Sequence, residues 1–376
     1  MMRLDGGPWP DVNAAAIFLR GLVAGEAPPL SPTIDRQQLA AWVEARDLGP
    51  LTFARYGASE PALAVRLQGD YYRAAAENEL LLSLLTEVLP ALTAANIPVV
   101  VLKGAALASS VYADPALRPM SDVDLWVRAA DMPHAAGVMG QLGFQAYLNQ
   151  QRPLAWQMLN RGEIQFLRPG WQNGLVELHW SPFEGDWLRR TAAVDDEGVW
   201  ARRQLLSVGG QATSQLSGED MALHLALHLA LGPKFGRPAL RALVDLGMLA
   251  RRGVDWSLVW QRARAWRVET VLWLVLRLAR ALVGVPDEEL GRQGGGECRH
   301  RWLQTTVSPQ SVLAGQELRG QWRGYWLLFG LVDRPQDRAR LFWRTLWPER
   351  PWLDARYGPR ASRLRHFWQA VRFGEL

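Results

Sequence analysis

Ser121-Asp122-Val123-Asp124-Leu125-Trp126-Val127 is the segment from which the architecture of this chain can be read. Its β-branched and aromatic members predict a strand, and in a strand residues two apart face the same side. Asp122 and Asp124 therefore project their carboxylates together. Two such anions repel at close range, so either a cation sits between them or one takes up a proton. Mg²⁺ suits such a pair, because it prefers oxygen ligands and is commonly held by one or two carboxylates plus substrate phosphates; Mn²⁺ accepts the same donors. In a two-metal site both ions would share the pair. The structural alternative is a solvated strand end. The acid-x-acid spacing recurs at Glu77/Glu79, Glu184/Asp186, Asp195/Glu197 and Asp287/Glu289, but those four read as helix or polar breaks, and only Asp122/Asp124 lies in an apolar run.

Upstream, Ile97-Pro98-Val99-Val100-Val101-Leu102 predicts a buried strand that ends at Lys103-Gly104 and opens into a short helix from Ala105 to Tyr112, before Asp114-Pro115 breaks the pattern. Free backbone amides at the start of that helix favour phosphate, and Gly104 permits close approach; a plain strand-to-helix turn is the alternative. Downstream, Asp131 is expected to cap a helix running to about Leu142, with Gly143 ending it and Phe144 to Leu148 resuming extended structure. Two further strand-like runs follow, Glu163 to Leu167 and Gly174 to Trp180, joined through Pro169-Gly170. Within the second, Glu177 is an isolated acid on a mostly apolar strand and needs a partner, either a metal or an arginine. His179 on the same face reads as a core histidine or as a residue that orients a ligand. Together these elements make a small α/β unit over 93–185.

The flanks are helical. Residues 1–92 carry apolar positions at three- and four-residue spacing in Val12 to Val23, Leu39 to Val43 and Tyr71 to Leu89. Residues 186–298 form a second helical stretch, opened by Ser217-Gly218-Glu219-Asp220 and interrupted near its end by Gly294-Gly295-Gly296. Within it, His224 and His228 share a helix face at a spacing that can hold zinc, but no further ligands lie nearby and packing against a neighbouring helix is the simpler reading. Residues 299–376 are basic, with seven Trp between Trp302 and Trp368 interleaved with Arg. Arg with Trp suits phosphates and stacked bases, and equally a protein partner; filling the seams of a helical bundle is the structural alternative. The expected fold class is α+β.

Composition bounds the function. A chain of 376 residues with 49% hydrophobic and 21% charged residues can bury two or three packed units and is not disordered. Cys298 stands alone, which excludes an intramolecular disulfide or a thiol-rich metal cage and points to a reducing, cytoplasmic location. Asp5, Gly6, Gly7 and Pro8 would interrupt a signal helix, so no secretion is expected. Val271 to Val285 is too short for a membrane span and carries Arg277 and Arg280, so it reads as a buried helix. The net charge of +5 is uneven: 14 Arg against 6 acids from Arg299 onward give +8, leaving −3 for residues 1–298. Lys103 and Lys234 are the only lysines.

Val100-Val101-Leu102-Lys103-Gly104, Tyr112, Arg118, Ser121-Asp122-Val123-Asp124-Leu125, Gly143-Phe144 and Val176-Glu177-Leu178-His179-Trp180, in that order, resemble the uncharacterised bacterial nucleotidyltransferase family of the polymerase-beta-like superfamily over about 70 to 280. The resemblance implies a small mixed-sheet core with two metal-binding acids on one strand and a third on a neighbour, positions held here by Asp122, Asp124 and Glu177. It implies nucleotide or phosphate contacts at Lys103, Gly104, Arg118 and Ser121, of which Gly104 and Arg118 are preferred. The later helical motif matches at Arg241 and Asp245, an i, i+4 pair that is usually structural. One departure stands out: the usual Gly-Ser pair at the nucleotide-binding helix is replaced by Lys103-Gly104-Ala105-Ala106, which removes a hydroxyl contact to phosphate. The implied activity is metal-dependent transfer of a nucleoside monophosphate from an NTP to an acceptor hydroxyl or phosphate on a small molecule, peptide, protein or RNA end. The alternative is a catalytically silent module that binds a nucleotide or a partner.

Overall fold

The computed structural model describes residues 7–147, 162–170, 174–183, 185–232, 234–286, 298–316 and 321–373; the Gly294-Gly295-Gly296 break lies outside the described residues. Four helices lead in: α1 (Val12–Ala24), α2 (Arg36–Glu44), α3 (Gly49–Tyr56) and α4 (Pro61–Ala94). Asp11 and Asp35 cap the first two by accepting from backbone amides, which satisfies donors the helices cannot use themselves.

Next comes one mixed sheet of seven strands: β1 (Val100–Val101), β2 (Val123–Trp126), β3 (Gln145–Tyr147), β4 (Glu163–Leu167), β5 (Leu175–His179), β6 (Gln204–Val208) and β7 (Gln211–Gln215). Their order across the sheet is β3-β4-β5-β2-β1-β7-β6. β2 runs parallel to β5 and antiparallel to β1, while β1 runs parallel to β7. Between the strands lie α5 (Lys103–Ser110), α6 (Met132–Gln141), α7 (Asp186–Thr191) and α8 (Asp196–Ala201), and α4 and α5 pack on the sheet. Strand β2 is buried at all four positions. Asp131 stands at the start of α6 as expected but makes no side-chain cap.

The sheet extends beyond residue 185. β6 and β7, within a stretch read from sequence as helical, form a hairpin across Gly209 and Gly210, both at positive φ (+55° and +76°). Glycine adopts that backbone without steric cost, and it matches the twist of a two-residue hairpin.

Helices α9 (Gly218–Leu231), α10 (Ala239–Ala250), α11 (Trp256–Trp266) and α12 (Glu269–Val283) follow, and then α13 (Cys298–Thr306), α14 (Pro309–Ala314), α15 (Gln321–Gly330), α16 (Pro335–Leu346), α17 (Arg350–Tyr357) and α18 (Arg363–Phe373). Among the described residues no helix is long and apolar enough to cross a membrane. In the C-terminal helices the buried positions include Leu303, Leu313, Leu327, Leu341, Leu353 and Ala370, whereas Trp302, Trp326, Trp343 and Trp368 are exposed. The smaller aliphatic residues fill the seams, so these indoles are left facing water.

Asp220 ties this region together. It is fully buried, its amide is capped by Ser217, and its carboxylate accepts from Arg202 (Nε to Oδ2, 3.1 Å) and Arg262 (Nη1 to Oδ1, 2.8 Å), joining α9 to the chain before β6 and to α11. Removing one partner of a buried charge cluster leaves the others uncompensated. Asp220→Asn is therefore expected to cost about 3 to 5 kcal/mol in urea unfolding, and a loss below about 1 kcal/mol would mean that water satisfies both guanidiniums.

Candidate active site

The parallel register of β2 and β5 sets Asp124 opposite Glu177, and the antiparallel register of β4 and β5 sets Gln165 opposite Glu177 and Glu163 opposite His179. Directly paired residues share a face, as do residues two apart, so Asp124, Glu177, His179, Gln165 and Glu163 lie on one side of the sheet. Asp122 falls one residue before β2, and with Asp124, Glu163 and Glu177 it lines a cavity of about 700 Å³. Helices α9 and α10 contribute to the walls.

Charge is tightly managed here. Asp124 Oδ1 accepts from Lys103 Nζ at 2.9 Å and meets His179 Nε2 at the same distance. Burial alone would raise the Asp124 pKa, but the Lys103 ammonium and the His179 bond outweigh it and hold the group well below the usual carboxylate range. Lys103 reaches this position from a backbone at φ +37°, a left-handed conformation seldom adopted by a side-chain-bearing residue. Glu177 behaves oppositely: burial first, then the charges of Asp124 and Asp122, push it up to about 7 despite His179 and a 2.6 Å bond from Gln165 Nε2. Asp122 is likewise raised by burial and by Asp124. One ligand atom each from Asp124, Glu177 and His179 lies within 4.8 Å of the others, two oxygens and an imidazole nitrogen that could hold a divalent cation. His179, left open between core and ligand by the sequence, faces the carboxylates.

The remaining expected residues divide into two groups. Lys103 and the exposed Ser121 face the cavity. Arg118 also lines it, but its Nε and Nη2 bond Asp245 at 3.0 and 2.9 Å, and Tyr112 donates to the same carboxylate at 2.7 Å. Arg118 Nη1 is turned toward Gly104, where a Cβ would come within 2.9 Å of it. Gly104 thus makes room for Arg118. The expected Arg241/Asp245 pair does not form: Asp245 takes Arg118 from outside its helix, and Arg241 bonds Asp47 at 2.9 Å. A buried bidentate partner outcompetes a neighbour on the helix surface. From α4, Asn78 fixes the segment ahead of Asp122, donating to Pro115 and Arg118 carbonyls and accepting from the Met120 amide.

His224 and His228 line the same cavity rather than only packing on a helix. Burial first, then the Lys103 charge, keep both imidazoles neutral, His228 being lowered to about 4. His224 Nε2 has no hydrogen-bond partner among the described residues. Glu163 and Gln165 were not singled out from sequence; the signal that could have found them is their alternation on the strand preceding Glu177.

The chain belongs to the uncharacterised nucleotidyltransferase family, whose pattern matches residues 32–284. Among curated proteins nothing matches. Of solved structures, the antibiotic-resistance factor ANT(2'')-Ia is similar at 11% identity and a TM-score of 0.35, covering 50% of this chain and 91% of its own. The lincosamide antibiotic adenylyltransferase LnuA, lincomycin-bound, is similar at 11% identity and 0.29, covering 46% and 96%. An antigenic nucleotidyltransferase-like protein from Paracoccidioides brasiliensis is similar at 18% identity and 0.34, covering 57% and 94%.

Glu177 offers a direct check on the electrostatics. Its pKa in the folded chain, about 7, lies above its ordinary 4.5, so its stabilising contribution is complete below pH 4.5 and is lost as pH rises through 7. In EDTA, the stability of Glu177→Gln relative to the parent should therefore climb between pH 4.5 and 7, by up to about 3 kcal/mol. Parallel stability curves for the two proteins would contradict this environment for the carboxylate.

Proposed function

We propose that this nucleotidyltransferase moves a nucleoside monophosphate from an NTP to an acceptor hydroxyl or phosphate, with Mg²⁺ as the working ion and Mn²⁺ as a substitute. The observation that carries the reading is the register pair Asp124 and Glu177, which clusters with His179 and lines the cavity that Asp122 also lines. Asp122, Asp124 and Glu177 would hold the cation, with His179 bonded to Asp124. A divalent cation held there would offset charge on the triphosphate and would favour the ionised form of the acceptor oxygen.

The protein groups then have distinct tasks. The acceptor oxygen forms a bond to the α-phosphorus, the bond from that phosphorus to the β-bridging oxygen breaks, and pyrophosphate leaves with the electron pair. Gln165 fixes Oε1 of Glu177, leaving Oε2 to receive the acceptor proton. Lys103, already directed at Asp124, and Ser121 offer donors to the phosphates. Gly104 and Arg118 set the shape of the phosphate side, with Arg118 Nη1 supplying the positive charge. The acceptor chemistry includes small molecules, peptides and RNA ends, and the single Cys298 supports a cytoplasmic setting.

The decisive assay incubates the full chain with each of the four α-labelled NTPs, Mg²⁺ and cell extract, scoring pyrophosphate release and label transfer. Turnover should be abolished in Asp122→Ala/Asp124→Ala and reduced on the order of 100-fold or more in Glu177→Gln. Metal-dependent nucleotide binding without any turnover would instead favour a silent binding module, a reading supported by Ala105 and Ala106 where a phosphate-binding hydroxyl would stand.

A further inference from the structure

A second cavity, of about 820 Å³, opens beside the first. Lys234 lines both. On α15, Leu328 faces the nucleotide-sized cavity, while Trp326 and Phe329 face its neighbour. Both volumes fall in the range of small-molecule sites, so the first does not need the second to accommodate an NTP.

The lining of the second cavity has a definite chemistry. Lys234, Arg299, Arg323 and Arg338 contribute to it, and no acid does among the described residues. Lys234 and Arg323 form no ion pair among the described residues, so their charge is uncommitted. Trp302 and Trp326 supply flat apolar walls, each left about two-fifths exposed. Trp302 packs against α15, whose backbone passes so close that a Cβ at Gly330 would meet its ring at 2.7 Å. Indole faces with uncommitted cations recognise a planar ligand that carries negative charge.

The position of the cavity in the chain adds a second argument. Apart from Lys234 and Phe235, the residues that line it lie between 298 and 338, beyond the family match that ends at 284. The nucleotide chemistry sits inside the shared region and this cavity outside it.

We propose that the second cavity is the acceptor site, and that the acceptor is a small molecule with a flat, aromatic body and an anionic group. The aromatic body lies between Trp302 and Trp326, the anion meets Arg323, and the reacting oxygen extends past Lys234 toward Glu177. Bond making and breaking are those of the transfer described above, with the acceptor proton going to Glu177 and pyrophosphate leaving. The proposal rests on that reading of the first cavity, and the test separates the two.

The probe is 1-naphthyl phosphate, with 1-naphthalenemethanol and inorganic phosphate as the neutral and non-aromatic controls, titrated calorimetrically into the full chain. Binding of the aromatic anion alone is expected, about tenfold weaker in Arg323→Met. Mg²⁺–NTP binding should be unchanged in that variant. In the label-transfer assay the probe should block transfer to extract acceptors without displacing the NTP. If Mg²⁺–NTP binds normally but the probe does not bind, or binds Arg323→Met equally well, the acceptor site is overturned and the nucleotidyl transfer reading stands. If the probe binds through Arg323 but never affects transfer, the cavity is a ligand site and its acceptor role is overturned. Absence of NTP binding and turnover, whatever the probe does, overturns both.

Discussion

The site depends on one constraint: the carboxylate of Asp124, buried in the middle of a sheet, must not be left alone. An ionised acid in such surroundings is tolerated only when it is paired and hydrogen-bonded. Lys103 and His179 both converge on its Oδ1, and each comes from an element whose placement follows from that need. Lys103 begins α5 in a left-handed backbone, and His179 ends β5 on the strand that runs parallel to Asp124. Burial first, and then the repulsion of the ionised Asp124, push Asp122 and Glu177 toward protonation.

A second buried ion pair transmits this organisation to the helical region. Arg118 precedes the carboxylates by a few residues and bonds Asp245 on α10, with Tyr112 on the same acid. Two nearby residues and an acid 127 positions beyond Arg118 close one polar knot at the edge of the cavity. Gly104 is part of it through space alone, since any side chain there would displace the guanidinium.

How much of this was legible depended on how strongly each residue type announces its environment. β2 and β5 were readable because acids interrupting an apolar, β-branched run are costly and therefore conspicuous. The mixed sheet, with helices before and after it, was expected and is present. β6 and β7 were missed because Gln204-Leu205-Leu206-Ser207-Val208, at the sheet edge, and Gln211-Ala212-Thr213-Ser214-Gln215, next to it, are largely polar strands with little periodic signal. Gly209-Gly210 was the available clue, a hairpin turn between two five-residue runs. The partners of Asp245 and Arg241 could not be read at all, because helical spacing predicts neighbours on one surface and carries no information about an arginine more than a hundred residues away. Trp302, Trp326, Trp343 and Trp368 depart from the reading of Trp as seam filler for a similar reason: bulk says how much area a residue could bury, not whether the bundle has room for it.

The position of β1 has a consequence for the order in which the chain assembles. This two-residue strand takes one neighbour from β2, about twenty residues on, and the other from β7, which is made more than a hundred residues later. During synthesis the β1 edge therefore stays open until residue 215 has emerged, with Val100 and Val101 exposed to any strand that arrives first. Closing that gap is a non-local step, slow by its loop-closure entropy, and it comes after the local β4–β5 hairpin can form. The polar β6–β7 hairpin is then less a late addition to the sheet than its seal, and a translation pause or truncation ahead of it would leave an aggregation-prone edge in place of a nearly finished domain.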